Sequence, residues 1–311
     1  MFLMYMYSLI ISLEMMILIL LSVAFLTLFE RKLLSYMQIR KGPNKVGFLG
    51  LLQPFSDAIK LFSKEIFMLL KSNYMFFLFS PMLMLMLMLL LWNNIPLMSK
   101  LMNYSNNLLL ILCIMSLGVY GLMIAGWSSN SFYSLIGSLR SIAQTISYEV
   151  SMIFIMMNVL LLVESFNLLK FLNFQIYIWF FFLMFPLSLI FFVSLLAEMN
   201  RTPFDFAEGE SELVSGFNTE YMSGSFAMIF IAEYGMIMFM MFLFIIFFFG
   251  GNLYSYLFYI FYLFMLFLVI WIRATYPRFR YDNLMYMTWK LYLPLSMFLL
   301  IIILGIKMLI I

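Results

Sequence analysis

Eight apolar stretches dominate this sequence, and each is long enough to cross a membrane as a helix. They cover approximately residues 8–29, 74–92, 108–127, 143–163, 177–197, 221–249, 254–272 and 290–308. About 20 apolar residues span a hydrocarbon layer of about 30 Å, where a helix satisfies its own backbone groups. Because the chain is also 66% hydrophobic and only 10% charged, we predict an all-α integral membrane protein with eight transmembrane helices. It forms one polytopic domain over residues 1–311. Pro81, Pro186 and Pro294 lie inside three of these stretches and predict kinks.

The charges between the apolar stretches predict the orientation of the bundle. When the loops are assigned alternately to two sides, one side receives residues 30–73, 128–142, 198–220 and 273–290. These loops hold fourteen of the seventeen Lys and Arg residues. Since Lys and Arg accumulate in loops that are not translocated, we predict that this inner side is the cytoplasm or the mitochondrial matrix.

The first inner loop contains a segment with the periodicity of a surface helix. Apolar residues recur there at helical spacing, namely Phe55, Ala58, Ile59, Phe62 and Ile66. Charged residues fill the other face, and either Ser56 or the preceding turn at Pro54 can start the helix. We predict an amphipathic helix that lies flat on the membrane. It either binds anionic lipid only, or forms the floor or entrance of a site shared with a soluble partner.

Six of the fourteen acidic residues are gathered in the loop between the predicted fifth and sixth spans. They are Glu198, Asp205, Glu208, Glu210, Glu212 and Glu220. Closely spaced carboxylates cannot all ionise at low cost, so some are expected to hold protons near neutral pH. The loop therefore either binds protons or cations, or meets a basic partner. Three arginines of the last inner loop, Arg273, Arg278 and Arg280, could pair with it or bind anionic lipid headgroups.

Two further carboxylates fall inside predicted spans. Glu149 follows Arg140 by nine residues, which at about 1.5 Å per residue places it roughly 13 Å along the helix. It belongs to a polar stripe with Gln144 and Tyr148. A carboxylate at that depth either exchanges protons or pairs with an arginine from another helix. Glu233 in the sixth span presents the same alternatives.

The scarcity of metal ligands limits the chemistry of this chain. It contains one cysteine, Cys113, and no histidine. Haem, zinc and iron–sulfur centres need such ligands. Any redox reaction that involves the chain must therefore use centres on other subunits. The net charge of +3 does not suggest a nucleic-acid partner.

Five long strings of the sequence are specific enough to compare with known families. They start at Glu30 (Glu-Arg-Lys-Leu-Leu-Ser-Tyr-Met-Gln-Ile-Arg-Lys-Gly-Pro-Asn), Gln53 (Gln-Pro-Phe-Ser-Asp-Ala-Ile-Lys-Leu-Phe-Ser-Lys-Glu), Ala143 (Ala-Gln-Thr-Ile-Ser-Tyr-Glu-Val-Ser), Leu196 (Leu-Ala-Glu-Met-Asn-Arg-Thr-Pro-Phe-Asp, continuing to Glu220) and Tyr276 (Tyr-Pro-Arg-Phe-Arg-Tyr-Asp). In this order they closely resemble the subunit 1 family of NADH:ubiquinone oxidoreductase, respiratory complex I.

The resemblance implies a core membrane subunit of a proton-translocating NADH:ubiquinone reductase. Such a subunit forms the membrane part of the ubiquinone chamber and the start of a proton-coupling path. Ubiquinone is then a substrate, while flavin and iron–sulfur clusters belong to partner subunits of the peripheral arm. Neighbouring proton-pumping subunits and membrane lipid are the other implied partners. The implied location is the mitochondrial inner membrane with the large loops in the matrix, and a bacterial plasma membrane is the alternative.

The resemblance also assigns roles by motif position. Proton coupling falls on Glu149, Glu198, Asp205, Glu208, Glu210, Glu212 and Glu220. The quinone chamber or its surroundings fall on Arg31, Arg40, Asp57, Tyr148, Arg201, Phe204, Arg273, Arg278 and Arg280. The main alternative is a cation/proton antiporter-type subunit that uses the same acids without quinone. A third interpretation is a membrane anchor for the peripheral arm, whose acids only dock basic loops.

Overall fold

Thirteen α-helices, joined by short 3₁₀ and π segments, form the part of the chain that the structure describes. In this computed structural model that part is residues 2–67, 70–96 and 105–310, without the side chains of residues 2–5, 210, 211 and 310. The helices are α1 (Phe2–Met37), α2 (Gln53–Ser63), α3 (Tyr74–Trp92), α4 (Asn107–Ser128), α5 (Phe132–Val163), α6 (Leu168–Phe174), α7 (Phe180–Leu183), α8 (Phe185–Glu198), α9 (Glu210–Leu213), α10 (Ser223–Ile245), α11 (Tyr256–Thr275), α12 (Tyr281–Tyr286) and α13 (Leu293–Ile310).

Seven helices within these ranges are long and apolar enough to cross a membrane. Five are α1, α3, α4, α5 and α11. In the other two, the helix continues through a π segment: α10 into Ile246–Gly250, and α12 through Met287–Tyr292 into α13. The predicted all-helical membrane fold is therefore confirmed.

The remaining apolar run, predicted at 177–197, is divided into two helices. We expected a kink at Pro186, but the chain instead leaves the helical conformation at Met184 (φ −125°, ψ 46°). Pro186 lies in the first turn of α8, where its missing N–H is tolerated because that group has no helical partner. From Phe180 to Glu198 the two helices together still extend about 28 Å at roughly 1.5 Å per residue.

Several predicted boundaries were wrong because apolarity and helicity do not end together. α5 begins at Phe132 rather than near residue 143, since its helix continues through polar residues such as Arg140. The last span begins at Tyr281 rather than near residue 290. The amphipathic helix is confirmed as α2 with Pro54 in its first turn, but it ends at Ser63, before Ile66.

Four loops meet at one end of the bundle, which we call the loop end. The amide of Asn73 donates to the Ser128 carbonyl (2.9 Å), and the amide of Phe279 donates to the Pro203 carbonyl (3.0 Å). Arg140 pairs with Glu212 at 2.5 Å. The loops that the sequence assigned to one side thus lie together, and the opposite end is called the far end below.

The centre of the bundle is α10. In the most apolar part of this span, 72% of the residues are buried. The corresponding share is 6% for the span formed by α12 and α13. Glu233 is carried by α10, so this carboxylate enters the interior of the bundle and not a lipid-facing surface.

Candidate functional site

The acidic loop, residues 199–222, is closed on itself by a close backbone approach. The amide of Phe217 donates to the Ala207 carbonyl at 3.4 Å. Gly216 has φ +56°, and a Cβ there would lie 1.8 Å from the Ala207 carbonyl oxygen. Only glycine fits both the conformation and the space.

Gln144 of α5 attaches the start of this loop to the bundle. Its fully buried side chain donates to the carbonyls of Ala197 (2.7 Å) and Phe204 (2.8 Å). One turn further, the buried ring of Tyr148 lies 6.2 Å from that of Phe204 and 6.5 Å from that of Tyr292. The Tyr148 hydroxyl is buried and has no hydrogen-bond partner among the described residues. These contacts hold the start of the acidic loop at a fixed position along α5.

A buried carboxylate of α1 receives two arginines. Glu30, only 5% exposed, accepts hydrogen bonds from Arg201 of the acidic loop (3.3 Å) and from Arg273 of α11. The Arg201 guanidinium also lies 4.5 Å from the ring centre of Tyr234 on α10, a cation–π distance. Three helices and the acidic loop therefore share one ionic cluster.

Asp205 and Glu208 form the second charged group of the loop. The buried Asp205 accepts from Arg278 at 3.1 Å and from the backbone amide of Glu208 at 3.2 Å. Asn218 donates to the Glu208 carboxylate at 3.2 Å. Burial, together with the negative charge of Asp205, raises the pKa of Glu208 above its ordinary value, although Arg201 and Arg273 act in the opposite direction. Glu208 therefore holds a proton more readily than a carboxylate in water.

Two cavities adjoin these charges and share part of their lining. The loop cavity, about 120 Å³, is lined among others by Asp205, Glu208 and Arg273. The bundle cavity, about 90 Å³, reaches Thr145 and Glu198. Asn200 and Glu233 line both cavities. Each volume can hold several water molecules, so Glu233 stands between the loop carboxylates and the bundle interior.

Glu198 and Glu149 extend this series of carboxylates towards α5. Glu198 is 9% exposed, and each of the two has one buried carboxylate oxygen without a hydrogen-bond partner in the described part of the chain. Glu149 lies on α5 and Glu198 ends α8, and these two helices pack against each other. One alternative left open by the sequence was that Glu149 pairs with an arginine from another helix. Among the described residues, Glu149 does not pair with an arginine.

Other predicted residues lie outside the cavities. Arg31 pairs with Asp57 at 2.5 Å in a partly exposed bridge between α1 and α2. Arg40 is exposed in the turn after α1. Arg280 pairs with Asp282 at 2.9 Å, and both are exposed.

Three acids of the loop are also separate from the cavities. Glu212 is exposed and pairs with Arg140. Glu220 is partly buried and lines neither cavity. The side chain of Glu210 lies outside the described residues. Within the described ranges, no group of three or more His, Cys, Asp or Glu side chains could hold a metal ion.

The sequence analysis missed Tyr221, which anchors the end of the loop. Its hydroxyl lies 2.9 Å from Ser80 Oγ and donates to the Ala125 carbonyl at 3.2 Å. Its ring stacks on Phe77 at 4.3 Å. Glu30 and Tyr234 were also missed as site residues, and the only local signal was an acid beside a base at the end of an apolar run.

Fold and site together define a polytopic, all-helical membrane protein with carboxylates that continue from a surface loop into the bundle. Residues 10–304 match the family model described as NADH dehydrogenase. The chain is 56% identical to NADH-ubiquinone oxidoreductase chain 1 of Aedes aegypti over 303 residues, 97% of each chain. Identity is 57% over 289 residues with the chain 1 protein of Locusta migratoria (93% and 92% of the two chains). It is 49% over 299 residues with that of Strongylocentrotus purpuratus (94% and 93%). The chain belongs to the NADH-ubiquinone oxidoreductase chain 1 family.

Proposed function

We propose that this chain forms the membrane part of the ubiquinone chamber in a proton-translocating NADH:ubiquinone oxidoreductase and begins its proton-coupling path. The observation that carries the proposal is the pair of cavities that share Asn200 and Glu233. One cavity adjoins the charged loop and the other adjoins the bundle interior, so Glu233, which lines both, is placed to relay a change of charge at the loop end inwards. The names of the relatives supply the reaction.

Reduction of ubiquinone to ubiquinol consumes two electrons and two protons. The electrons come from flavin and iron–sulfur clusters of partner subunits, and this chain supplies the charged wall. Asp205 and Glu208 are the first carboxylates to change their protonation, because they line the loop cavity. A proton can then pass by water to Glu233, and onwards to Glu198 and Glu149. Protonation of one carboxylate changes the affinity of its neighbour for a proton, which couples the steps.

The arginines add positive charge to the loop end and hold the acidic loop against the helices. Arg201 and Arg273 are held by Glu30, and Arg278 is held by Asp205. Tyr148 and Phe204 are 0% and 3% exposed, so we place them behind the chamber wall and not in contact with the quinone. Arg31, Arg40 and Asp57 stand with α2 at the proposed entrance.

Replacement of Glu233, which lines both cavities, or of Glu198 in the assembled complex tests the proposed proton path. In Glu233→Gln and Glu198→Gln, we expect coupled ubiquinone reduction to fall by roughly 10²-fold, the usual effect of removing a positioned proton-transfer group. NADH oxidation by a hydrophilic artificial acceptor should remain, because it does not use this chain. Glu14→Gln, an exposed acid of α1, is the matched control. Full coupled turnover in both variants would refute the path.

Quinone binding requires a separate test. A photoreactive ubiquinone analogue should label this chain at the loop end, near α2 or the acidic loop. If turnover persists and the analogue never labels this chain, an antiporter-type role without quinone replaces the proposal.

The proposed setting follows from the same function. We place the chain in the mitochondrial inner membrane with its loop end in the matrix. There it meets the peripheral-arm subunits, while neighbouring proton-pumping subunits adjoin the bundle within the membrane.

A further inference from the structure

An apolar groove at the far end of the bundle is separate from the carboxylate site. It lies between the end of α5, the break between α7 and α8, and α13, and its volume is about 570 Å³. Leu162, Leu183, Leu187, Leu299 and Ile303 form much of its wall. Because its walls come from membrane-spanning segments, it opens at the depth of lipid acyl chains and not towards water.

The break at Met184 contributes to the shape of this groove. Leu183 and Met184 line it on one side of the break, and Pro186 and Leu187 line it on the other. A continuous helix would present an even surface here. The change of direction between α7 and α8 instead leaves a recess that faces α13.

One ion pair lies at the rim of the groove. Lys307 of α13 pairs with Glu164, which ends α5, and it also donates to the Leu161 carbonyl at 2.7 Å. A lysine ammonium has three donors, so these two contacts leave one. The Glu164 side chain is 63% exposed and uses one oxygen for Lys307. The rim therefore offers one cationic donor and one anionic acceptor side by side.

The backbone of Glu164 is held in an uncommon conformation. It has φ 54° and ψ 29°, the left-handed region, at the C-terminus of α5. Gly or Asn adopts this conformation at lower cost than Glu. Such strain persists where the surrounding structure requires it, and it is found most often at functional positions.

We propose that this groove binds a phospholipid whose headgroup carries both a phosphate and a primary ammonium. An acyl chain fills the apolar recess, the phosphate accepts from Lys307, and the ammonium donates to Glu164. Charge complementarity selects this headgroup. A purely anionic headgroup would be repelled by Glu164, and a trimethylammonium group has no N–H to donate to it.

Photolabelling of the assembled complex tests the site. The probe is phosphatidylethanolamine with a diazirine in its acyl chain, in vesicles that contain the complex. We expect cross-links at residues 183–187 and 299–306 to exceed those at the exposed α11 residues Tyr259 and Leu263. Equal labelling of both faces, or a groove that stays unlabelled because another subunit covers it, overturns the proposal.

Rim variants and competition test the headgroup. Lys307→Gln and Glu164→Gln should each reduce groove labelling by about fivefold, as for loss of one exposed ionic contact. Lys170→Gln, an exposed lysine away from the groove, is the control. Unchanged labelling in both rim variants refutes the assigned contacts. With the unaltered complex, which requires no variant to fold, unlabelled phosphatidylethanolamine should compete better than phosphatidylcholine or phosphatidylglycerol, and equal competition by all three also overturns the proposal.

Discussion

Glu30 and Asp57 both pair with arginine at the loop end, but their surroundings differ. Glu30 is 5% exposed and faces two arginines, whereas the Arg31 and Asp57 side chains are 46% and 31% exposed. Removing one partner of a buried pair costs about 3–5 kcal/mol, because the other charge stays buried. Removing one partner of an exposed pair costs about 0–1 kcal/mol.

Hydrogen exchange should separate the two pairs. In Glu30→Gln, we expect the free energy of local opening of residues 199–222 to fall by about 3–5 kcal/mol, since Arg201 and Arg273 lose their shared acceptor. In Asp57→Asn, we expect a fall of about 0–1 kcal/mol at α2 only. Similar protection of the acidic loop in both variants would contradict this ranking.

Glu208 should make the loop sensitive to pH. Its pKa in the folded chain lies above the ordinary value of 4.5 because of burial and the Asp205 charge. The folded loop therefore binds a proton more tightly than the unfolded loop, so this stabilisation is complete below about pH 4.5 and is lost as pH rises through the raised pKa.

The measurement is amide protection of residues 199–222 as a function of pH, corrected for intrinsic exchange. We expect protection to decrease as pH rises above 4.5, and Glu208→Gln to remove much of that slope. The control, Glu212→Gln at an exposed acid, should retain it. An unchanged slope in Glu208→Gln would exclude this residue as the source.

At the scale of elements, the acidic loop depends on one backbone crossing. In Gly216→Ala, the new methyl group would lie 1.8 Å from the Ala207 carbonyl oxygen, at a positive φ. We expect the crossing to open, with loss of several kcal/mol of loop stability and of assembled complex on native gels. Gly305→Ala, with no atom within 4 Å of the added Cβ, should assemble normally. Normal assembly of Gly216→Ala would mean that the crossing is dispensable.

The sequence correctly predicted those helices that a single local property, such as apolarity or helical spacing, determines. Apolar runs located seven spans, and helical spacing located α2, because both signals lie within about 20 neighbouring residues. Pro186 predicted a kink in this run, but the break lies two residues earlier, at Met184, because Pro186 occupies the first turn of a new helix. The length of α5 was also missed, because polar residues such as Arg140 lie before the apolar run 143–163 and yet belong to the same helix.

At the scale of the whole molecule, the site was predictable as a set of residues but not as an arrangement. The motif strings selected Glu198, Asp205, Glu208 and Arg201, yet the partner of Arg201 lies 171 residues away on α1. The shared position of Glu233 depends on α10 being central. No local pattern contains such contacts, so Glu30 was not assigned to the site.

The orientation of the bundle can be checked by surface labelling. In intact mitoplasts, an impermeant amine reagent should modify the exposed Lys170 at the far end before the exposed Lys41 and Lys45 at the loop end. We expect this order because the loops rich in Lys and Arg should face the matrix, where the reagent cannot reach them. After permeabilisation, Lys41 and Lys45 should react as well. Earlier labelling of Lys41 and Lys45 in sealed mitoplasts would reverse the assignment.

The Glu30 cluster also has a consequence for biogenesis. Arg273 follows Glu30 by 243 residues, so at about 5–20 residues per second a ribosome needs about 12–50 s to supply the second arginine after it has made the carboxylate. During that time α1 is already synthesised, and its acid can meet only Arg201, which is made 171 residues after it. The ionic cluster around Glu30 is complete only when α11 brings in Arg273, which makes closure of the loop end one of the last steps of membrane integration.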